Sequence, residues 1–223
     1  MWLTLIKSNP QYKKKRAEFL YDNFNPNGLN YSTVFSIIQN TDRISDKYNE
    51  TSGLKLTTEL MYSSIFQSLG YGQDQISQDL LLEVKLKINE LFFEYRPLML
   101  NHNILEMLIQ LKDEEYSLNI SSNTGFIEGI YLMKLFELIG LDRFFDFAIF
   151  SDEINASKPS PIFYENVFKR IKGDKHQVIH IGDNYNADYI GATKFGFNAL
   201  QIKNPEYSIN IVRKAIYEKN RKF

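Results

Sequence analysis

The sequence predicts an α/β protein: a parallel sheet with helices on both faces, plus an inserted all-helical block. Three observations predict it. Beyond Pro97, short apolar runs alternate with stretches of helical periodicity, the pattern of strands joined by helical crossovers. Between residues 30 and 96 the periodicity is helical almost throughout. Polar residues suited to ligands gather just after the predicted strands, where such sheets bind them. A chain of 223 residues has room for one domain with a smaller insert.

The elements follow in order. Met1 to Leu5 reads as the end of a strand. Ser8-Asn9-Pro10 offers a cap and a first-turn proline, so a helix is expected from Gln11 to Asn23. Its Lys13-Lys14-Lys15-Arg16 run reads as a solvated face. Asn25-Pro26-Asn27-Gly28 is a turn signal. Val34, Ile37 and Ile38 make one apolar face, Leu60, Met61, Ile65, Phe66 and Leu69 a second, and Leu80, Leu81, Val84, Leu86, Ile88, Leu91 and Phe92 a third. Gly53, Gly70 and Gly72 punctuate them, and Arg96-Pro97 closes a block of three or four helices. A helix is then expected over 104–111, with strands over 116–120, 147–150, 177–181 and 198–202. Helices between these strands are expected around Leu132, over 161–171 and over 188–195. The tail from Glu206 is amphipathic and ends in a basic stretch, Lys219 to Lys222, expected to face solvent.

Composition removes several classes of function. Basic and acidic residues number 26 and 27, so no basic excess points to nucleic acid or a membrane surface. Cysteine is absent, which excludes disulfides, thiolate metal sites and cysteine nucleophiles. The start lacks the pattern of a signal peptide, and no run reaches the roughly 18 apolar residues of a membrane span. The expectation is a cytoplasmic protein with no nucleic-acid or membrane partner. Monomer and homodimer both remain open.

Three predicted strand ends carry suggestive groups. The first gives Ser122 and Asn123, where a hydroxyl beside free backbone N–H groups can hold a phosphate; an ordinary turn before a helix would look the same. The second is Ser157-Lys158-Pro159, where proline fixes the backbone and aims an ammonium at one place; a surface lysine at a proline-capped helix start is the alternative. The third is Gly182-Asp183 with Asp188. Two carboxylates converging there suit Mg²⁺, which takes one or two carboxylates, waters and a substrate oxygen. An N-cap pair is the alternative.

Order and spacing say more than each group alone. Lys158 follows Ser122 by 36 residues and precedes Asp183 by 25. Together the three groups resemble the second, third and fourth motifs of the haloacid dehalogenase superfamily, in its helical-cap (C1) phosphatase-like branch. The resemblance implies a Rossmann-like hydrolase core over 1–11 and 97–223, a helical cap over 12–96, and a Mg²⁺-dependent phosphatase acting on a small phosphorylated metabolite. It implies that Ser122 and Asn123 orient phosphoryl oxygens, Lys158 neutralises charge, and Asp183 and Asp188 hold the metal.

The first motif departs from the pattern. The family ends its first strand in Asp-x-Asp-x-Thr, whose first Asp attacks phosphorus. Aligned on Thr4, Trp2 falls at the second Asp, the usual acid/base, and the nucleophile falls one residue before Met1. The expectation is a truncated first motif whose aspartate lies upstream, in a longer protein. The chain as written would not turn over by the aspartyl-phosphate route. An inactive phosphate-binding or regulatory protein is the alternative. A 2-haloacid dehalogenase is a further one, disfavoured because dehalogenases generally lack the metal acids kept here as Asp183 and Asp188.

Overall fold

This computed structural model describes the backbone of residues 1–220 and side chains up to residue 216. The basic stretch Lys219 to Lys222 therefore lies outside the described side chains. The fold is a Rossmann-like α/β core with a helical cap.

Four helices form the cap: α1 (Pro10–Asn23), α2 (Tyr31–Ser52), α3 (Thr58–Leu69) and α4 (Gln78–Glu94). Their starts are fixed by short polar side chains that accept from orphan backbone N–H groups: Asn9, Asn30, Thr57 and Ser77. Gly53 and Gly70 end α2 and α3 in the left-handed conformation that glycine tolerates. The apolar stripes meet inside: Leu20, Val34, Ile38, Met61, Phe66, Val84 and Phe92 are all buried, whereas Leu60 and Leu86, expected on the same faces, are exposed.

The core runs β1 (Ile6–Lys7), β2 (Leu98–Met99), α5 (Ile104–Asp113), β3 (Asn119–Ser122), α6 (Gly129–Leu138), β4 (Phe147–Phe150), α7 (Ser151–Ile154), α8 (Pro161–Phe168), β5 (Ile179–Gly182), a π-helical turn (Tyr185–Ile190), α9 (Gly191–Phe195), β6 (Asn198–Gln201) and α10 (Ile209–Asn220). β3 pairs with β4 and β5 with β6, both parallel, while β1 and β2 make a small antiparallel pair. Strand alternation sends side chains to opposite faces. Ile120 and Phe150 join the larger apolar core with α5, α6 and the cap helices. Ile149 joins a second core with Phe163, Tyr164 and Val167 of α8 and Ala192 of α9. Helices thus cover both faces. Among the described residues, no helix is long and apolar enough to cross a membrane.

Four expectations change. Met1 to Leu5 is not extended strand: Leu5 N–H donates to the Met1 carbonyl at 2.8 Å and Leu3 takes a positive φ of 51°, so the chain folds into a tight turn before β1. The strand expected over 116–120 lies later, at Asn119–Ser122, so Ser122 ends the strand rather than following it. The helix expected over 188–195 starts earlier, as a π-helical turn from Tyr185. Arg16 is not solvated. It is buried, its Nη2 2.8 Å from Asp42 of α2 and its guanidinium 4.6 Å above the centre of the Phe126 ring. It sits three positions after Lys13, on the buried stripe of α1 with Tyr12 and Leu20, whereas Lys13 and Lys14 are exposed.

Candidate active site

The carboxyl ends of β3 and β5 face one another, and polar side chains close the space between them. Ser121 of β3 and His180 of β5 point to the same sheet face, with Ser121 Oγ 3.4 Å from His180 Nδ1. Lys158 enters from the loop before α8. It is 5% exposed, which a lysine tolerates only with partners. Its ammonium donates to Asp188 Oδ1 at 2.6 Å and to the Ser121 carbonyl at 3.1 Å. His180 Nε2 lies 2.9 Å from the same Asp188 oxygen. The Asn184 N–H donates to Asp188 Oδ2 at 3.0 Å.

Asp188 is therefore held by three partners. Burial opposes its charge, but the Lys158 ammonium and the His180 hydrogen bond win, and its carboxyl stays well below the usual carboxylate range. Burial pushes the His180 imidazole down, so it is neutral at pH 7. Asp183 has a different environment. It is half buried, and burial together with the neighbouring Asp188 charge pushes its carboxyl up. Met1 lines the same cavity as Lys158, Asp183 and Asp188. Residue 1 thus lies at the same pole of the sheet.

Asn123 does something other than meet an anion with its side chain. Its amide donates to the Lys158 carbonyl at 2.9 Å and accepts from the Lys158 N–H at 2.8 Å. That reciprocal pair clamps the Lys158 backbone to the end of β3. Ser122 is buried, and its hydroxyl donates to the Asn123 carbonyl at 3.0 Å. Thr124 and Asp152 extend the loop inward: Thr124 Oγ1 donates to Asp152 at 2.8 Å, and Asp152 accepts from Gly129 N–H at the start of α6.

A cavity of about 530 Å³ opens over these groups. Its floor includes Trp2, Ser122, Asn123, Lys158, Asp183 and Asp188, and its roof comes from α1 and α2. Trp2 is partly buried on this floor, and Thr4 is buried beneath it, its carbonyl accepting from Tyr207 at 2.7 Å. All the residues singled out from sequence gather here except Thr4, which supports from below. His180 and Asn184 were missed. His180 could have been found by parity: it lies two residues before Gly182, on the strand face that carries the Asp188 carboxylate.

The donor set suits Mg²⁺. Asp183 is a carboxylate whose burial and acidic neighbour disfavour its charge, a strain that a cation reverses. Asp188 adds a second carboxylate, and Mg²⁺ completes its shell with water and substrate. Protons compete at the same carboxylate. The rise in melting temperature caused by Mg²⁺ should therefore shrink as the pH is lowered from about 7.5 to about 5, and Asp183→Asn should lose it at every pH. In the metal-free protein the sign reverses. The raised Asp183 contributes stability at acid pH that is lost as the pH rises through its folded pKa.

The sequence profile of the haloacid dehalogenase-like hydrolases matches residues 31–202, and the chain belongs to that family. It is similar to a glyceraldehyde 3-phosphate phosphatase of Methanothermobacter thermautotrophicus, 31% identical over 102 residues, covering 45% of this chain and 43% of that protein. It also resembles the pyrophosphatase PpaX of Listeria welshimeri, 30% identical over 122 residues, covering 53% of this chain and 52% of the relative. The chain thus spans about half the length of the curated relatives it matches. Its fold is shared with the magnesium-bound putative HAD-hydrolase YfnB of Bacillus subtilis, with a TM-score of 0.67 at 17% identity over 97% of this chain and 94% of that one. A HAD phosphatase of Thermococcus onnurineus gives a TM-score of 0.68 at 17% identity over 95% and 92%.

Proposed function

We propose that this site is that of a Mg²⁺-dependent phosphatase acting on a small phosphorylated metabolite. The observation that carries the reading is the Lys158–Asp188–His180 cluster, buried beside Asp183 at the floor of a cavity big enough for a phosphate ester. In such a site Lys158 faces the phosphoryl oxygens and offsets charge that builds up in the transition state. The Ser122 hydroxyl, whose proton can rotate, donates to one of those oxygens and orients it. Asn123 fixes Lys158. Asp183 would hold Mg²⁺, supported by Asp188 directly or through water, and the bound metal would supply further charge neutralisation. The phosphatase and pyrophosphatase names of the relatives support phosphoryl chemistry.

The attacking group is a separate matter. Met1 to Leu5 carry no carboxylate, and the first-motif alignment assigns the nucleophile to the position directly before Met1. A polypeptide carrying aspartate there is expected to hydrolyse p-nitrophenyl phosphate with Mg²⁺ and to lose that activity when the aspartate becomes asparagine. The chain beginning at Met1 is expected to bind orthophosphate without turnover. Absence of Mg²⁺-dependent hydrolysis by the extended polypeptide, across a panel of phosphometabolites, overturns the reading. Phosphate binding alone would then mark a non-catalytic protein, the second reading, which Trp2 at the position of the second aspartate favours. Halide release from 2-haloacids without metal would instead mark a dehalogenase.

A further inference from the structure

We infer that the cap wall selects phosphate esters whose organic group is uncharged and rich in hydroxyls, a sugar or polyol phosphate; this rests on the phosphatase reading of the same site. A cavity of about 530 Å³ has room for much more than a phosphate group. Among the described residues, the cap contributes no aliphatic side chain to it. α1 gives Lys13 and Arg16, and α2 gives Gln39, Asp42, Asp46 and Glu50 from successive turns of one face. Apart from the Tyr12 ring of α1, an alkyl or acyl leaving group would find no apolar side chain on this wall.

Charge narrows the choice. Arg43 joins Lys13 and Arg16, so three cations face three carboxylates. Arg16 is committed to Asp42 at 2.8 Å, and Glu50 accepts from the Asn184 side chain across the cleft. Asp46, next to Asp42 and Glu50, is pushed up to about 6 by burial and by those two acids, so one more negative charge is unwelcome there. A second phosphate would enter among three carboxylates, and an ammonium would meet three cations. A hydroxyl suits both signs, since it donates to a carboxylate and accepts from an amide or a cation. The Gln39 Nε2 and Arg16 Nε are buried and have no hydrogen-bond partner among the described residues.

The two rings beside Arg16 argue against a nucleobase on the cap side of the cavity. The Phe126 ring carries the Arg16 guanidinium at 4.6 Å and packs on Tyr62 at 5.2 Å. Tyr12 is engaged by Phe92 at 5.9 Å and Arg16 at 5.5 Å. Stacking a base on either ring would displace a buried ion pair.

Titration calorimetry on the chain as it stands, with Mg²⁺ present, tests this. The probes are orthophosphate, glycerol 3-phosphate, ribose 5-phosphate, pyrophosphate and adenosine 5′-monophosphate. The two hydroxylated esters are expected to bind about tenfold tighter than orthophosphate, the gain of one or two net hydrogen bonds. Pyrophosphate and the nucleotide are expected to show no such gain. Gln39→Leu and Asp46→Ala should each cut the gain by about threefold or more, with orthophosphate measured on the same folded variants as reference. Tightest binding of pyrophosphate or the nucleotide overturns the inference while leaving the phosphate site standing. So does an equal affinity for all five, or a gain that neither substitution changes. If orthophosphate itself fails to bind, the phosphatase reading falls and the inference falls with it.

Discussion

Lys158→Met is expected to lower stability by about 3–5 kcal/mol and to weaken orthophosphate binding by about 10- to 100-fold. The first number follows from burial. Lys158 and Asp188 are both nearly inaccessible, and removing one partner of a buried pair leaves the other charge unpaired. Methionine keeps the length and the apolar stem but brings no donor, so the Ser121 carbonyl also loses its partner. The second number is the worth of a charge-assisted hydrogen bond to the anion, about 1.5–3 kcal/mol. Denaturant unfolding reads the first and calorimetry the second. An unchanged orthophosphate Kd in a folded variant would show that the ammonium serves Asp188 alone.

A third readout separates this electrostatic account from simple loss of packing. The Lys158 charge helps to hold the His180 imidazole neutral, while Asp188 favours its protonation. With Lys158 gone, the balance at His180 shifts toward the carboxylate. Its pKa, followed by NMR titration, should rise. The protonated imidazole then takes over as the counter-charge to Asp188, so the stability deficit should narrow as the pH is lowered through the raised value. The sign follows from linkage, because the higher the folded-state pKa of the imidazole, the less stability is lost when it protonates at lower pH. A cavity defect alone would leave the His180 titration where it was.

The alternation of strands and helices after Pro97 was legible because parallel strands must be covered on both faces, which leaves apolar runs and amphipathic helices in the chain itself. Lys158, Asp183 and Asp188 were legible for a related reason. Each stands at the end of such a run, where the fold delivers polar groups to one edge. The misses share a cause as well. Arg16 sits in a run of four basic residues, and nothing local distinguishes the one that turns inward. Its partner Asp42 and its platform Phe126 come from distant segments. The side-chain use of Asn123 is equally non-local, since its two hydrogen bonds reach a backbone 35 residues away. The tight turn at Met1 to Leu5 follows from contacts of the Met1 carbonyl, which apolar patterning does not encode.

Gly182→Ala should be the most damaging single methyl group in the site, and the reason is space rather than backbone conformation. A Cβ on Gly182 would lie 2.2 Å from Cγ and 2.3 Å from Oδ2 of Asp188. No rotation of a methyl relieves that. The Asp188 carboxylate has to leave, and with it go the contacts to Lys158, His180 and the Asn184 N–H. The expected loss is that of a broken buried pair, about 3–5 kcal/mol. For a chain of this size it amounts to a fall in melting temperature of about 6–20 °C. Gly125→Ala is the internal comparison: nothing lies within 4 Å of its Cβ, so it should stay within about 0.5 kcal/mol of the parent. The decisive measurement is the double variant with Asp188→Ala. If the methyl acts only by evicting this carboxylate, its cost should largely vanish once the carboxylate is gone, a coupling well outside additivity. Additive losses would mean that Gly182 is crowded by something other than Asp188, and that the close approach of β5 to the Asp188 carboxylate is not what requires glycine there.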